Sequence, residues 1–313
     1  MIKKTFHKIN TIKNKFVFLL ILFFFDASVS FDLEKVADGI YVHYGKQSDS
    51  NFKNLGDIAN IGFIVGQKSI AVIDTGGTPN IGKTFKQKIK ETSNLPISHI
   101  IITHAHPDHF FGTEEFYNND VQIIGHKKLK RALLSNFDFY KNLQFILTGE
   151  ENIKKSKLIL PNTYVEENES LTIDLGGRKI VLKAWKSGHT DNDLSVYDHK
   201  TRVFWSENIF VRRTPSIRAS IKGWKRNLEE ISKMDIEIIV PGHGKATTKL
   251  KALEPMNNYF NRILDETRNF HKSNGKLKDA QKKIAKSNRE NWLLFDSYHI
   301  SNVTKAYTEL EWE

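Results

Sequence analysis

The sequence predicts an α/β fold: two β-sheets facing each other, helices outside them, and further helices appended at the C-terminal end. Three observations predict it. From Gly39 onward, strand-like and helix-like segments alternate. Each half of the chain closes a run of strands in a loop that carries histidine, first His104-Ala105-His106-Pro107-Asp108-His109 and later Pro241-Gly242-His243-Gly244. Beyond Lys245 the apolar residues keep helical spacing only, and the stretch from about Lys272 to Glu290 turns polar and Lys-rich.

The elements follow in order. Residues 1–30 read as a secretory signal peptide: a basic start, ten apolar residues from Phe16 to Phe25, then Ala27-Ser28-Val29-Ser30 with small residues at 28 and 30. Ten apolar residues span about 15 Å as a helix, short of the roughly 30 Å core of a bilayer. Cleavage after Ser30 leaves a chain starting at Phe31. An uncleaved anchor is the alternative, and only that alternative implies a membrane contact. Ile40 to Tyr44 alternates as a strand. Gly62–Gly66 and Ile70–Asp74 form a hairpin pair. Thr78-Pro79 leads into a helix from Ile81 to Thr92, which ends before Pro96. Ile97 to Ile102 is a short buried strand running into His104.

The second half begins near Leu158. Leu171–Leu175 and Ile180–Leu182 flank Gly176-Gly177 as a hairpin, and Ser195–Tyr197 pairs with Val203–Trp205. Trp224, Leu228 and Ile231 lie on one helical face. Ile236–Val240 is again a buried strand. Leu250, Leu253, Met256, Tyr259, Phe260, Ile263 and Leu264 recur at helical spacing. No Pro- or Ser-rich linker divides the chain. The expected organisation is a leader over 1–30, one domain over 31–245, and a helical extension over 246–313 that covers it or mediates dimerisation.

Composition narrows the chemistry. With 39% hydrophobic and 27% charged residues, the chain is ordinary for a globular protein. It has no cysteine, so thiolate ligands, thiol nucleophiles and disulfides are excluded, and any metal is held by His, Asp or Glu. The formal charge is +11, part of it from five lysines in the first 30 residues against Asp26. Such a charge suits an anionic partner, but alone it fixes none.

The His104–His109 segment carries the chemistry. Three histidines and an aspartate fall within six residues at a strand end. Neutral imidazole is a zinc ligand, and Asp adds charge neutralisation. In extended chain His104 and His106 point the same way, while Asp108 and His109, beyond the turn at Pro107, can serve a second centre.

His-x-His-x-Asp-His resembles the signature of the metallo-β-lactamase superfamily. Ser187-Gly188-His189-Thr190 and Pro241-Gly242-His243-Gly244 resemble its later histidine motifs, and Asp74 in Val72-Ile73-Asp74-Thr75-Gly76 resembles its structural aspartate. The match spans about residues 38–245. It implies an αββα sandwich and a first zinc held by His104, His106 and His189. A second zinc is implied on Asp108, His109 and His243. Where the family carries a bridging Asp, this chain reads Ser206-Glu207-Asn208. Glu is one methylene longer. Bridging, binding one metal, and lying outside the site as a plain carboxylate are the three alternatives for Glu207.

Gly56-Asp57-Ile58-Ala59-Asn60-Ile61-Gly62-Phe63 and His189-Thr190-Asp191-Asn192-Asp193-Leu194 further resemble the quinoprotein relay system zinc metallohydrolases. This resemblance implies a periplasmic or secreted protein with a quinoprotein dehydrogenase as partner. The expected activity is zinc-dependent hydrolysis of an ester, thioester or amide-type small molecule. Water activated at the metals attacks, and Asp108 orients it. Asp74 is expected to hydrogen-bond the histidine loop. Arg212, Arg213, Arg218 and Lys245 have two readings, binding an anionic group beside the site or forming a solvated basic loop. His43, His99, His126, His199, His271 and His299 are expected to be structural or on the surface, and Trp185 and Trp224 core or rim.

Two rivals are a mononuclear iron enzyme that oxidises persulfides and a metal-binding accessory protein without turnover. A nuclease is disfavoured by the leader and the lack of a nucleic-acid-binding module, so no nucleic acid is expected as partner.

Overall fold

The computed structural model describes residues 31–313; the leader expected over 1–30 lies outside the described residues. The first half builds β1 (Glu34–Ala37), β2 (Ile40–His43), β3 (Ile61–Val65), β4 (Ile70–Ile73), helix α1 (Pro79–Thr92), β5 (Ile97–Ile101), the single turns α2 (Pro107–Phe110) and α3 (Thr113–Phe116), β6 (Gln122–His126), helix α4 (Leu129–Thr148) and β7 (Thr163–Val165). The second half builds β8 (Ser170–Asp174), β9 (Lys179–Ala184), β10 (Leu194–Asp198), β11 (Val203–Phe210), helix α5 (Ile221–Ser232), β12 (Ile238–His243) and β13 (Thr247–Thr248). Three helices close the chain: α6 (Lys249–Lys272), α7 (Leu277–Lys283) and α8 (Phe295–Leu310).

The strands form two sheets. One has seven strands in the order β1-β2-β3-β4-β5-β6-β7, and the other has six in the order β13-β12-β11-β10-β9-β8. Both expected hairpins form, with Phe63 opposite Val72 and Thr172 opposite Val181. Where a helix intervenes the pairing turns parallel, as in β4–β5 across α1 and β11–β12 across α5.

Alternation of side chains along the strands sets the layers. Ile40 and Val42 on β2, and Ala71 and Ile73 on β4, face between the sheets, where they meet Leu182, Val196, Trp205 and Val240. Ile70 and Val72 face the other way, onto Ile81, Phe85 and Ile89 of α1. Thr78 caps α1 by accepting the Ile81 N–H at 3.3 Å, and Pro79 opens its first turn. The outer face of the second sheet, Phe204 and Ile239, packs on Trp224, Leu228 and Ile231 of α5 together with Met256, Tyr259 and Phe260 of α6. This is an αββα sandwich with C-terminal helices sharing its second outer layer. Each such fully buried apolar side chain contributes about 1.5–3 kcal/mol.

Some elements differ from the sequence reading. Strands β1, β6, β7 and β13 and helix α4 were not foreseen. Leu250, expected on the apolar face of α6, lies in the first turn of that helix and is 70% exposed. Strand β5 ends at Ile101, and its first three residues are only half-buried. Among the described residues no helix is long and apolar enough to cross a membrane.

Candidate metal centre

The catalytic-looking loops gather at one end of the two sheets. Chain leaving β5 places Thr103 and His104, and α2 then turns Asp108 and His109 inward. The loop between β9 and β10 carries His189, and the end of β12 carries His243. Three ring nitrogens converge: His106 Nδ1 lies 2.8 Å from His104 Nε2 and 3.1 Å from His189 Nε2. Beside them, Asp108 Oδ2 lies 3.3 Å from His109 Nε2 and 3.7 Å from His243 Nε2. The structure thus brings six of the seven foreseen residues into two adjacent groups, His104/His106/His189 and Asp108/His109/His243.

Contacts behind the rings set their tautomers. His189 Nδ1–H donates to the Ser216 carbonyl at 2.8 Å, and His243 Nδ1–H to the Ile58 carbonyl at 2.8 Å. His109 Nδ1–H donates to Asp74 Oδ2 at 2.8 Å. Asp74 also accepts the Thr103 N–H at 2.9 Å and the Thr103 hydroxyl at 2.7 Å, which leaves that hydroxyl oxygen to accept from His104 Nδ1–H at 3.2 Å. Asp74 therefore holds the histidine loop as the sequence predicts. With their protons placed at the back, the Nε2 atoms of His104 and His189 face His106 lone pair first. That arrangement repels unless a cation sits among them, so the donor set fits a metal ion.

Burial has the same consequence. It drives His104, His189 and His243 well below the ordinary histidine range, reinforced by the neighbouring rings and, for His243, chiefly by Arg213. It pushes His106 down to about 4. These rings are neutral, the form that donates to a metal. Burial alone would raise Asp108, but the rings of His109 and His243 outweigh it and hold the carboxyl well below its usual range. His109 is the exception: burial opposes its charge, yet Asp108, Asp74 and Glu207 hold its pKa well above the usual histidine value.

Comparison with known proteins agrees with this geometry. The sequence pattern of the metallo-beta-lactamase superfamily matches residues 55–243. The chain belongs to this superfamily. It is 23% identical to the Probable metallo-hydrolase YqjP of Bacillus subtilis (strain 168), over 64% of this chain and 70% of that protein. Among solved structures, a metallo-beta-lactamase from Pontibacter korlensis superposes with a TM-score of 0.60 at 14% identity, over 74% of this chain and 99% of that one. The inverting sec-alkylsulfatase Pisa1 from Pseudomonas sp. gives 0.67 at 15% identity, over 90% of this chain and 51% of that one. At these identities the structures show the fold.

Within this metallo-β-lactamase fold, Glu207 falls outside both groups and instead forms a third cluster of donor atoms with Asp74 and His109. It lies in β11, where the pairing with β12 breaks register between Ser206 and Phe210. Its Oε1 accepts the Trp205 indole N–H at 2.7 Å, and its Oε2 lies 3.5 Å from Nδ1 of His109. It therefore shares with Asp74 the back of the ring whose Nε2 faces Asp108. An imidazole that gives Nε2 to a metal carries its proton on Nδ1, so this side of His109 is a hydrogen-bonding face. Burial raises Glu207 to about 8, with Asp74 and Asp108 adding to the shift against His109.

The remaining foreseen residues separate as well. Arg213 is buried and committed: it donates to the Ser48 carbonyl at 2.7 Å, to Asp49 at 3.3 Å and to the Tyr298 hydroxyl at 2.9 Å. Arg212 lines a different hollow, with Asn258 and Trp292. Lys245 pairs with Glu34 at 3.0 Å and stacks over the Tyr44 ring. Arg218 lines the cleft and has no ion-pair partner among the described residues. His43 has a partner the sequence reading missed, Asp57 at 2.8 Å, and stacks on Phe31, which makes it a buried structural pair. Trp185 and Trp224 are core.

Two adjoining hollows open over the site, of about 370 Å³ and about 680 Å³, and share His106, Tyr140, Leu143 and Arg218. Helix α4 forms one wall, which the sequence reading did not supply. Also unforeseen are two asparagines that join the halves. Asn192 Oδ1 accepts the Ala105 N–H at 2.9 Å, and Asn60 Nδ2 donates to the carbonyls of Pro241 and Gly244 at 2.7 Å each. Both stand inside motifs quoted for the resemblance, and that was the only signal available.

Proposed function

We propose that this chain is a zinc-dependent hydrolase of an ester, thioester or amide-type small molecule. The observation that carries the reading is the pair of adjacent groups, His104/His106/His189 and Asp108/His109/His243, open to a common cleft. Each group would hold one zinc ion. When bound, zinc supplies Lewis acidity that makes water nucleophilic near neutral pH and polarises a carbonyl oxygen. The chain's own residues do the rest. Asp108 lines the cleft and stays ionised, so it can orient the attacking water, take up its proton and deliver it to the leaving group. Asp74, Thr103 and Ser216 keep the rings aimed. Helix α4 and Tyr298 contribute side chains to the lining of the cleft.

The resemblance to the quinoprotein relay system metallohydrolases supports an exported protein, periplasmic or secreted, with a quinoprotein dehydrogenase as partner. A second reading is favoured by one observation, the placement of Glu207 behind His109. Without a carboxylate between the two groups, a single iron ion and persulfide oxidation become the competing chemistry.

Metal per chain, measured by plasma mass spectrometry on untagged residues 31–313, separates these readings, alongside turnover of an ester, thioester and amide panel. Two zinc ions, with turnover abolished by His106→Ala, is the expected result. One iron ion per chain would replace the hydrolase by the mononuclear reading. Retained zinc without turnover of any of the three classes would make the chain an accessory metal-binding protein.

A further inference from the structure

We propose that Arg218 anchors the anionic headgroup of an amphipathic substrate whose apolar arm lies along helix α4; the inference rests on the cleft being a substrate site. The argument starts from the charges around that cleft. Arg131 is paired with Asp191, and Arg213 with Asp49 and Tyr298. Arg218 has no carboxylate within ion-pairing distance among the described residues, yet it is the cation that lines both hollows. An unpaired guanidinium in a concave site is a fork for carboxylate, sulfate or phosphate oxygens.

Its position is indexed to the centre itself. The N–H groups of Arg218 and Ala219 both donate to the His189 carbonyl, at 3.0 and 3.2 Å. The loop behind is pinned by Asn302 of α8, which accepts the Ile217 N–H at 2.9 Å and donates to the Pro215 carbonyl at 2.6 Å. An anion held by Arg218 is therefore placed at a fixed offset from His189. Precise placement of a remote group is how binding energy reaches the reacting bond.

Helix α4 adds an apolar stretch to the lining of the cleft, beside its own Arg131, Ser135 and Asn136. Phe139, 64% exposed, lines the larger hollow with Tyr140, Leu143 and Ala132. Exposed aromatic and aliphatic surface inside a cleft of about 680 Å³ is stabilised by covering it with a ligand's hydrocarbon. An unpaired cation shared by both hollows and an apolar stretch in the larger one match a singly headed, chain-bearing anion.

Titration calorimetry on the metal-loaded chain tests this with octanoate, octyl sulfate, octyl phosphate and neutral 1-octanol. The three anions are expected to bind at least tenfold more tightly than octanol. Their ranking identifies the headgroup. Arg218→Ala is expected to weaken the anions by about ten- to a hundredfold, the loss of a charge-assisted hydrogen bond, and to leave octanol unchanged. Arg218→Lys is expected to fall between, since it keeps the charge and loses the fork. Arg218 is exposed, so both variants should fold, and a melting curve checks this. Anions that bind no better than octanol overturn the proposal. So does anion affinity that survives Arg218→Ala but vanishes on removing the metal. Binding is read without turnover, so an inactive chain that binds these anions through Arg218 refutes the hydrolase and keeps the anchor.

Discussion

Asn60 is fully buried just ahead of β3, and it staples the loop that carries His243. Its Nδ2 donates to the carbonyls of Pro241 and Gly244, and its backbone N–H donates to that of Gly242 at 2.9 Å. Asn60→Ala removes the two side-chain bonds and strands two buried carbonyls. Each stranded group costs about 1–3 kcal/mol, and relief of the asparagine's own unpartnered Oδ1 offsets part of that. The expected loss is about 2–4 kcal/mol, or a fall of about 4–10 °C in melting temperature. Asn60→Asp keeps the shape but turns a carboxylate towards carbonyl oxygens, so it should be worse than Ala. Urea unfolding of the metal-free chain is the assay, because metal binding would otherwise add its own stabilisation. If Asn60→Ala lies within about 0.5 kcal/mol of the parent, or Asn60→Asp matches it, the staple argument fails.

Four further outcomes are expected. His189→Ala should lower both metal content and thermal stability, because His189 ties the second half of the chain to rings of the first; an unchanged melting temperature with both proteins metal-saturated would refute the linkage. Arg178→Met should cost about 3–5 kcal/mol in urea unfolding, since it strands buried Asp198, whose two oxygens each accept from Arg178 at 2.9 Å. Burial raises Asp198, but the bonds from Arg178 and Thr201 outweigh it and depress its pKa. Its stabilisation is therefore complete above the unfolded carboxylate value of about 4 and is lost as pH falls below it. The parent should lose more stability between about pH 5 and pH 3 than Asp198→Asn; equal losses would contradict this. Ending the chain at Lys245 should expose Phe204, Ile239 and Trp224 and give a species that binds hydrophobic dye; a cooperative, dye-silent unfolding transition would show that the C-terminal helices are dispensable.

What was legible in the sequence followed from periodicity and turn chemistry. Both hairpins, α1 with its Thr78-Pro79 start and the apolar stripe of α5 obey local rules, because each buries a single face. His104, His106, Asp108 and His109 were legible because three histidines and an aspartate crowd one strand end, whereas His189 and His243 entered as ligands through the resemblance of their motifs. Helix α4 was not. Leu129 and Leu133 are buried, but Leu134, Phe139 and Ile146 are exposed, so its apolar residues form no single stripe. Its composition answers to the cleft as well as to the core. Arg213 was misjudged for a related reason. Its partners Ser48, Asp49 and Tyr298 come from two distant segments, and no local pattern announces them.

Glu207 shows how strand geometry decides a role that side-chain type leaves open. Between Ser206 and Phe210 strand β11 carries more residues than its partner β12, which moves only from Pro241 to His243. The surplus makes a bulge, and bulges re-aim side chains. A Cβ at Gly242 would fall 2.9 Å from the Glu207 Cα and 2.3 Å from its Oε2, so the glycine permits the close approach that β11 makes there. The longer side chain then reaches back to the Trp205 indole and the Nδ1 side of His109 instead of forward between the two groups. Asp74 and Glu207 thereby bracket one face of a single ring. Glu207 thus stands against the back of a ring of the second group, with Oε2 3.5 Å from His109 Nδ1, and its place there is set by the register of two strands.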